Sequence, residues 1–106
     1  MGRRRTSPML VGLGPIVHKK RMLYYVYLLY SKTRQQVYKG STSNLKRRFD
    51  EHNKGQVVST RKGVPWRLEY YEAFSNKTDA LREEIFLKSG KGKERLKYLL
   101  QETLKK

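Results

Sequence analysis

The stretch Tyr24-Tyr25-Val26-Tyr27-Leu28-Leu29-Tyr30 is aromatic and aliphatic at every position, with no polar residue to mark a solvent side. Such a run suits a strand buried on both faces, and a strand of that kind must lie inside a sheet with cover above and below. The polar residues Ser31 to Gln35 predict a turn, and Gln36 to Gly40 predicts a shorter returning strand, so the two form an antiparallel hairpin. Ser41-Thr42-Ser43 supplies hydroxyls that cap a helix from Asn44 to about Lys54, with Gly55 as its stop. Gln56 to Pro65 reads as a loop. Trp66, Leu68, Tyr70 and Phe74 then alternate with Arg67, Glu69 and Tyr71, the pattern of a third strand.

Ser75 or Asn76 caps a second helix whose apolar stripe is Ala80, Leu81, Ile85 and Leu87. Gly90 and Gly92 interrupt it, and a last helix sets Leu96, Leu99, Leu100 and Leu104 at helical spacing. The order is β-β-α-β-α-α. This predicts an α+β domain: a small three-stranded antiparallel sheet flanked by helices.

A chain of 106 residues has room for one core. Residues 1–21 carry six basic and no acidic side chains, and Pro8, Gly12, Gly14 and Pro15 break their short apolar patch. They read as a flexible basic N-terminal arm, or as a start placed too early, with the domain spanning 22–106. The arm shows no convincing cleavage site, so a secretory signal is not expected. No apolar run approaches the length of a membrane span, and the default location is cytoplasmic.

The chain has 25 Lys and Arg against 9 Asp and Glu, a formal charge of +16. A field of that sign recruits polyanions, above all nucleic acid, and weakens as salt rises. Charge sets the class of partner and no more. The absence of cysteine excludes disulfides, thiolate zinc sites and a cysteine nucleophile. Any catalytic metal is therefore held by oxygen or imidazole.

More specific information lies in the order of short motifs. Tyr25-Val26-Tyr27 and, ten residues later, Tyr38-Lys39-Gly40 are followed by Ser41, Asn44-Leu45, Arg48, His52, Asn53 and Gly55. Ser59-Thr60-Arg61, Pro65-Trp66, Tyr70-Tyr71-Glu72, Ala80-Leu81, Glu84 and Leu87-Lys88 come next. In this order and spacing, over nearly all of residues 22–98, the chain resembles the GIY-YIG nucleases. It is most similar to their stand-alone single-domain branch, which is like the catalytic module of the UvrC excision nuclease. The resemblance implies a metal-dependent endonuclease that hydrolyses phosphodiester bonds in DNA, in repair or recombination. Nothing in the residues themselves rejects RNA. The competing reading is a non-catalytic basic module that merely holds nucleic acid.

Arg48 and His52 stand four apart, one turn apart on one helix face beside Leu45 and Phe49, and are expected at the border of the core. Arg48 there can grip a phosphate through paired hydrogen bonds; the plain alternative is one more solvated charge in Lys46-Arg47-Arg48. His52 is either a proton acceptor near the nucleophile or a helix-end histidine on the C-terminal dipole. Glu84 points along the apolar stripe, where a carboxylate needs a cation. The resemblance implies that it ligates one Mg²⁺ or Mn²⁺, with water and phosphate oxygens completing the shell; the alternative is a surface pair with Lys88.

Tyr27 is expected to accept the proton of the attacking water, with Arg48 and the ion lowering its pKa from about 10. Tyr38 is its partner in orienting water or phosphate. Tyr24, Tyr25, Tyr30, Tyr70 and Tyr71 read as packing residues, and Glu83 as solvated. Gly40 allows a close approach where the strand enters the helix. Two positions depart from the family pattern: Tyr25 stands where glycine is usual, and Lys39 where an apolar residue is commoner. Lys39 faces away from Tyr38 and marks a second phosphate contact or a stem laid over the core. Lys88-Ser89-Gly90-Lys91-Gly92-Lys93 is a basic glycine loop without P-loop spacing. Lys88 and Lys91 in it are expected either to touch the nucleic-acid backbone or to belong to a plain helix connection.

Overall fold

The computed structural model describes residues 22–105, so the basic arm at 1–21 lies outside the described residues. Strand β1, Tyr24–Ser31, is central in a three-stranded sheet of order β2-β1-β3, with β2 at Gln36–Thr42 and β3 at Trp66–Phe74. Both neighbours pair antiparallel with it. The helices are α1, Leu45–Asn53; α2, Lys77–Leu87; and α3, Gly90–Leu99. The α+β architecture and the order β-β-α-β-α-α are those expected.

The unbroken apolar character of β1 has its reason in two cores. Val26 and Leu28 face the layer of α2 and α3, where Ala80, Leu87 and Leu100 are buried with them. Tyr27 and Leu29 face the other way, toward Trp66, Tyr38 and the α1 residues Leu45 and Phe49. Because successive side chains of a strand alternate in direction, each core takes every second residue of β1. Four consecutive residues, Val26 to Leu29, are at most 1% exposed. The hairpin turn closes through Gln35 at φ 51°.

Several boundaries differ from expectation for identifiable reasons. β2 continues through Ser41 and Thr42, which pair with Val26 and Tyr25, so the hydroxyl cluster is spent largely on the strand. Asn44 caps α1 instead, its side chain accepting from the Arg47 amide at 3.0 Å. Gly55, at φ 73°, ends the helix as expected. The loop to Pro65 contains a short 3₁₀ turn, Arg61–Gly63. It is fastened by side chains: Asn53 accepts from the Trp66 amide at 2.6 Å and donates to its carbonyl at 2.9 Å. The Trp66 indole donates to the Thr60 carbonyl, and buried Ser31 donates to the Gly63 carbonyl.

The stripe of α2 is rotated from the expected one. Leu81 and Ile85 are exposed at 41% and 70%, while Ala80 and Leu87 are buried. Glu84 lies four residues after Ala80 and three before Leu87, so the buried face of the helix carries the carboxylate. The basic glycine segment is not a loop. Ser89 caps α3 by accepting from the Gly92 amide, and Gly90 to Lys93 form its first turn. Gly92 is buried because any Cβ there would collide with the Phe86 carbonyl at the end of α2. Close contact of two helices, not chain flexibility, explains that glycine. No helix among the described residues is long and apolar enough to cross a membrane.

Candidate active site

Tyr27 lies at the middle of β1, 1% exposed, with its ring laid across β2 over Gly40. A Cβ at Gly40 would stand 2.6 Å from the Tyr27 oxygen and 2.9 Å from the Tyr38 ring. Glycine at this position is what lets the phenol reach over the edge strand. Tyr38 comes from the same face of β2, its ring edge-on to His52 at 4.9 Å between centroids and tilted against Tyr27 at 6.2 Å.

His52 is fully buried, contrary to its expected place at a solvent border. Although it sits in the last turn of α1, its ring nitrogens are engaged by side chains. Nε2 is 2.8 Å from the Tyr27 oxygen, and Nδ1 is 2.8 Å from Thr60 Oγ1. Thr60 directs its own proton toward the Val57 carbonyl at 3.4 Å. That arrangement assigns the tautomer: Nδ1–H donates to Thr60, and Nε2 accepts from the Tyr27 hydroxyl. Burial, and after it the positive charge of Arg48, hold the His52 pKa below 6.5, against an opposing pull from Glu51. The ring is therefore neutral at pH 7, with its lone pair aimed at the phenol.

Burial pushes the Tyr27 phenol up to about 12, with Tyr38 adding to the rise and Arg48 opposing it. Arg48 lowers the pKa as expected, but burial outweighs it. A free phenolate is not the resting state; the phenol keeps its proton and shares it with His52.

Arg48, one turn before His52 on α1, is half-exposed, and its Nη1 donates to Glu51 at 3.0 Å. Glu51 holds one branch of the guanidinium and leaves N–H groups for a second partner. Arg48 also acts on Tyr27, so its charge sits beside the phenol.

Glu84 approaches the edge strand β2 from α2. Its Oε1 accepts from Ser41 at 2.6 Å and its Oε2 from Lys88 at 2.9 Å. Gly40 and Ser41 are neighbours on β2 that face opposite sides, one beneath Tyr27 and the other toward Glu84. The edge of β2 is thus where phenol and carboxylate draw near, and the charge of Glu84 is among the influences raising the Tyr27 pKa. The Glu84 side chain is 18% exposed against 52% for Lys88, so the carboxylate is fixed and the ammonium is free to swing away. Lys88 shows that the carboxylate takes a cation, and the same oxygen suits a divalent ion. Among the described residues there is no cluster of three metal-ligating side chains. An ion here would take one carboxylate and complete its shell with water and phosphate oxygens, which suits Mg²⁺.

Lys39 lies opposite Leu28, on the sheet face of Glu84 and away from the Tyr27 ring. Lys91 is exposed on the first turn of α3. The sequence-based candidates thus separate: Tyr27, Tyr38, Gly40, Arg48 and His52 cluster on one face, and Glu84, Lys88 and Lys39 approach from the other.

A match to the model of the GIY-YIG catalytic domain extends over residues 23–98, covering every one of these side chains. This chain belongs to the GIY-YIG family. Members of the family are generally endonucleases. Similar small proteins include the UPF0213 protein in the ldhD 5'region of Pediococcus acidilactici. It is 46% identical over 79 residues, 72% of this chain and 80% of that protein. A UPF0213 protein of Limosilactobacillus reuteri is 38% identical over 80 residues, 73% and 82% of the two chains. The solution NMR structure of the UPF0213 protein BH0048 of Bacillus halodurans is 37% identical, covers 74% of this chain and 85% of that one, and has a TM-score of 0.47.

Three residues that hold the candidate side chains in place were not foreseen in that role: Thr60 and Ser41, named only in the motif order and, for Ser41, as a helix-capping hydroxyl, and Glu51. Glu51 had a local signal, three residues after Arg48 on one helix. Thr60 and Ser41 act through |i−j| separations of 8 and 43, and no local pattern announces them. Glu83, read as solvated, is half-buried beside Glu72; hydrogen bonding to Glu72, then burial, then the negative charge of Glu72 lift its pKa to about 7.

Proposed function

We propose that this GIY-YIG protein is a divalent-metal-dependent endonuclease that hydrolyses phosphodiester bonds in DNA. The observation that carries the reading is the buried chain Tyr27–His52–Thr60. A neutral imidazole lone pair held against a phenol inside a basic protein supplies a proton acceptor, which holding phosphate alone does not require.

The chemistry follows from the protonation states. The attacking water gives its proton to the Tyr27 oxygen as the phenol passes its own proton to His52 Nε2, so a phenol with a pKa of about 12 acts as a base without first becoming a phenolate. Thr60 keeps the imidazole in the tautomer this needs and accepts from the Nδ1–H as positive charge develops on the ring. Arg48, steadied by Glu51, holds the phosphate and balances charge as it builds. Tyr38 walls the pocket and orients the water or phosphate. Glu84 would hold Mg²⁺ or Mn²⁺, with Ser41 fixing the carboxylate and Lys88 displaced. When bound, the ion supplies Lewis-acid stabilisation of the phosphate and leaving oxygen. Lys39, Lys88 and Lys91 contribute backbone contacts, and residues 1–21 a basic arm on the domain at 22–106.

The reading is tested by incubating the protein with labelled linear, flap, branched and single-stranded DNA, with and without Mg²⁺ or Mn²⁺. The expected result is divalent-dependent cleavage. Binding without cleavage on every substrate would return the chain to the binding-module class.

A further inference from the structure

An open groove of about 540 Å³ runs between β3 and the N-terminal half of α1, on the sheet face that carries Tyr27. Its floor is apolar and largely aromatic. Tyr25 and Tyr71 meet edge to face with centroids 5.9 Å apart, and Phe49 and Leu68 extend the surface. Tyr71 is 53% exposed and Leu68 36%, so Leu68 is not the inward residue of the strand pattern and Tyr71 is not the packing tyrosine expected. Asn44 and Lys46 stand at the rim, and among the described residues no carboxylate lines the groove. Flat rings open to solvent beside a cation suit a ligand that is itself flat and carries negative charge. A nucleotide is such a ligand: its base stacks on the ring and its phosphate meets the cation.

Position narrows this further. Tyr71 stands directly opposite Tyr27 in the β1–β3 ladder, and Tyr25 precedes Tyr27 by two residues on the same face. Leu45 and Phe49 of α1 line the groove and also pack against the cluster of Tyr27, and the same helix carries Arg48 and His52 within one turn of them. Groove and reacting centre therefore adjoin on one sheet face, a span that a few nucleotides of one strand cross. A base inside a duplex has both faces already stacked on its neighbours. Away from a duplex end, only an unpaired base can lay a face against Tyr71.

We propose that this groove is a stacking subsite for an unpaired base on the strand whose phosphate Arg48 holds, so that the protein selects overhangs, flaps and single strands over intact duplex. The proposal rests on the nuclease reading for the position of that phosphate. The experiment measures the affinity of the full chain without divalent ion for a single-stranded oligonucleotide and for a blunt duplex of the same sequence at one salt concentration. It compares the parent with Tyr71→Ala and Tyr71→Trp, with a melting curve for each. Tyr71→Ala weakens single-strand binding by roughly tenfold and leaves duplex binding within about twofold, because stacking is lost while phosphate contacts remain. Tyr71→Trp keeps the single-strand affinity. An unchanged ratio of the two affinities in Tyr71→Ala overturns the proposal, as does a change in association state with unaltered nucleic-acid binding, which assigns the groove to a second copy of the chain. Absence of cleavage in the separate activity assay overturns the nuclease reading and leaves this affinity ratio to be read on its own.

Discussion

The Tyr27 hydroxyl and His52 Nε2 stand 2.8 Å apart, both residues withdrawn from solvent, with Thr60 fixing the far side of the imidazole. Burial acts on the two rings in opposite directions in pKa and to the same end. It raises the phenol to about 12 and lowers the imidazole from 6.5, so both are neutral and the proton lies between them. A base that must work at neutral pH is thereby assembled from two groups.

His52→Gln tests the acceptor. The amide has no imidazole lone pair to take the phenol proton, so the cleavage rate should fall about 10²–10⁴-fold. The parent's rate should decline as pH falls through the folded pKa of His52, which lies below 6.5, and the variant's residual rate should lack that limb. A parallel profile in both would place the titrating group elsewhere.

The same histidine predicts an acid-labile fold. Its folded pKa is depressed below the unfolded value of 6.5, so between the two values the unfolded chain binds the extra proton. The contribution to stability is whole above pH 6.5 and is lost as pH falls toward the folded pKa. Thermal melts between pH 7.5 and 5 should show this slope in the parent and a shallower one in His52→Gln.

Gly40→Ala tests the close approach at β2. The added methyl falls 2.6 Å from the Tyr27 oxygen and must displace that ring or Tyr38. Overpacking of this kind costs about 1–3 kcal/mol, read from chemical denaturation. It should also lower the cleavage rate, because the phenol is moved off His52. Unchanged stability and rate would mean that the strand edge yields freely.

For the metal, Glu84→Gln should abolish divalent-dependent cleavage while keeping the fold and most DNA affinity, since Ser41 can still donate to the amide oxygen. Isothermal titration with Mn²⁺ gives a readout independent of turnover. Mn²⁺ binding equal to that of the parent would assign the ion to other ligands.

The sheet and helix order were legible because each rests on local signals: the unbroken apolar run of β1, the alternation after Trp66, and Gly55 after α1. The phase of α2 was not, because counting Leu81 and Ile85 as core assumes that apolar residues are buried. Here Glu84 occupies the covered face, drawn there by Ser41. Lys88 to Lys93 looked like a loop because glycine ordinarily disfavours helix, yet Gly92 serves helix contact and Ser89 caps the turn. Tyr27, Arg48, His52 and Glu84 were recognisable from motif order. The state of Tyr27 was not, because its pKa depends on depth of burial and on His52, 25 residues away.

Tyr27→Phe tests the central claim most directly. It removes one hydroxyl and keeps the ring that fills the core beside Leu29 and Trp66. Single-turnover cleavage of labelled DNA in Mg²⁺ or Mn²⁺ should fall about 10²–10⁴-fold in Tyr27→Phe, with DNA affinity close to the parent's. Tyr24→Phe, on the opposite face of β1, should cleave at the parental rate. Parental cleavage by Tyr27→Phe would show that the water's proton leaves by a route that does not involve this hydroxyl, and would contradict the account.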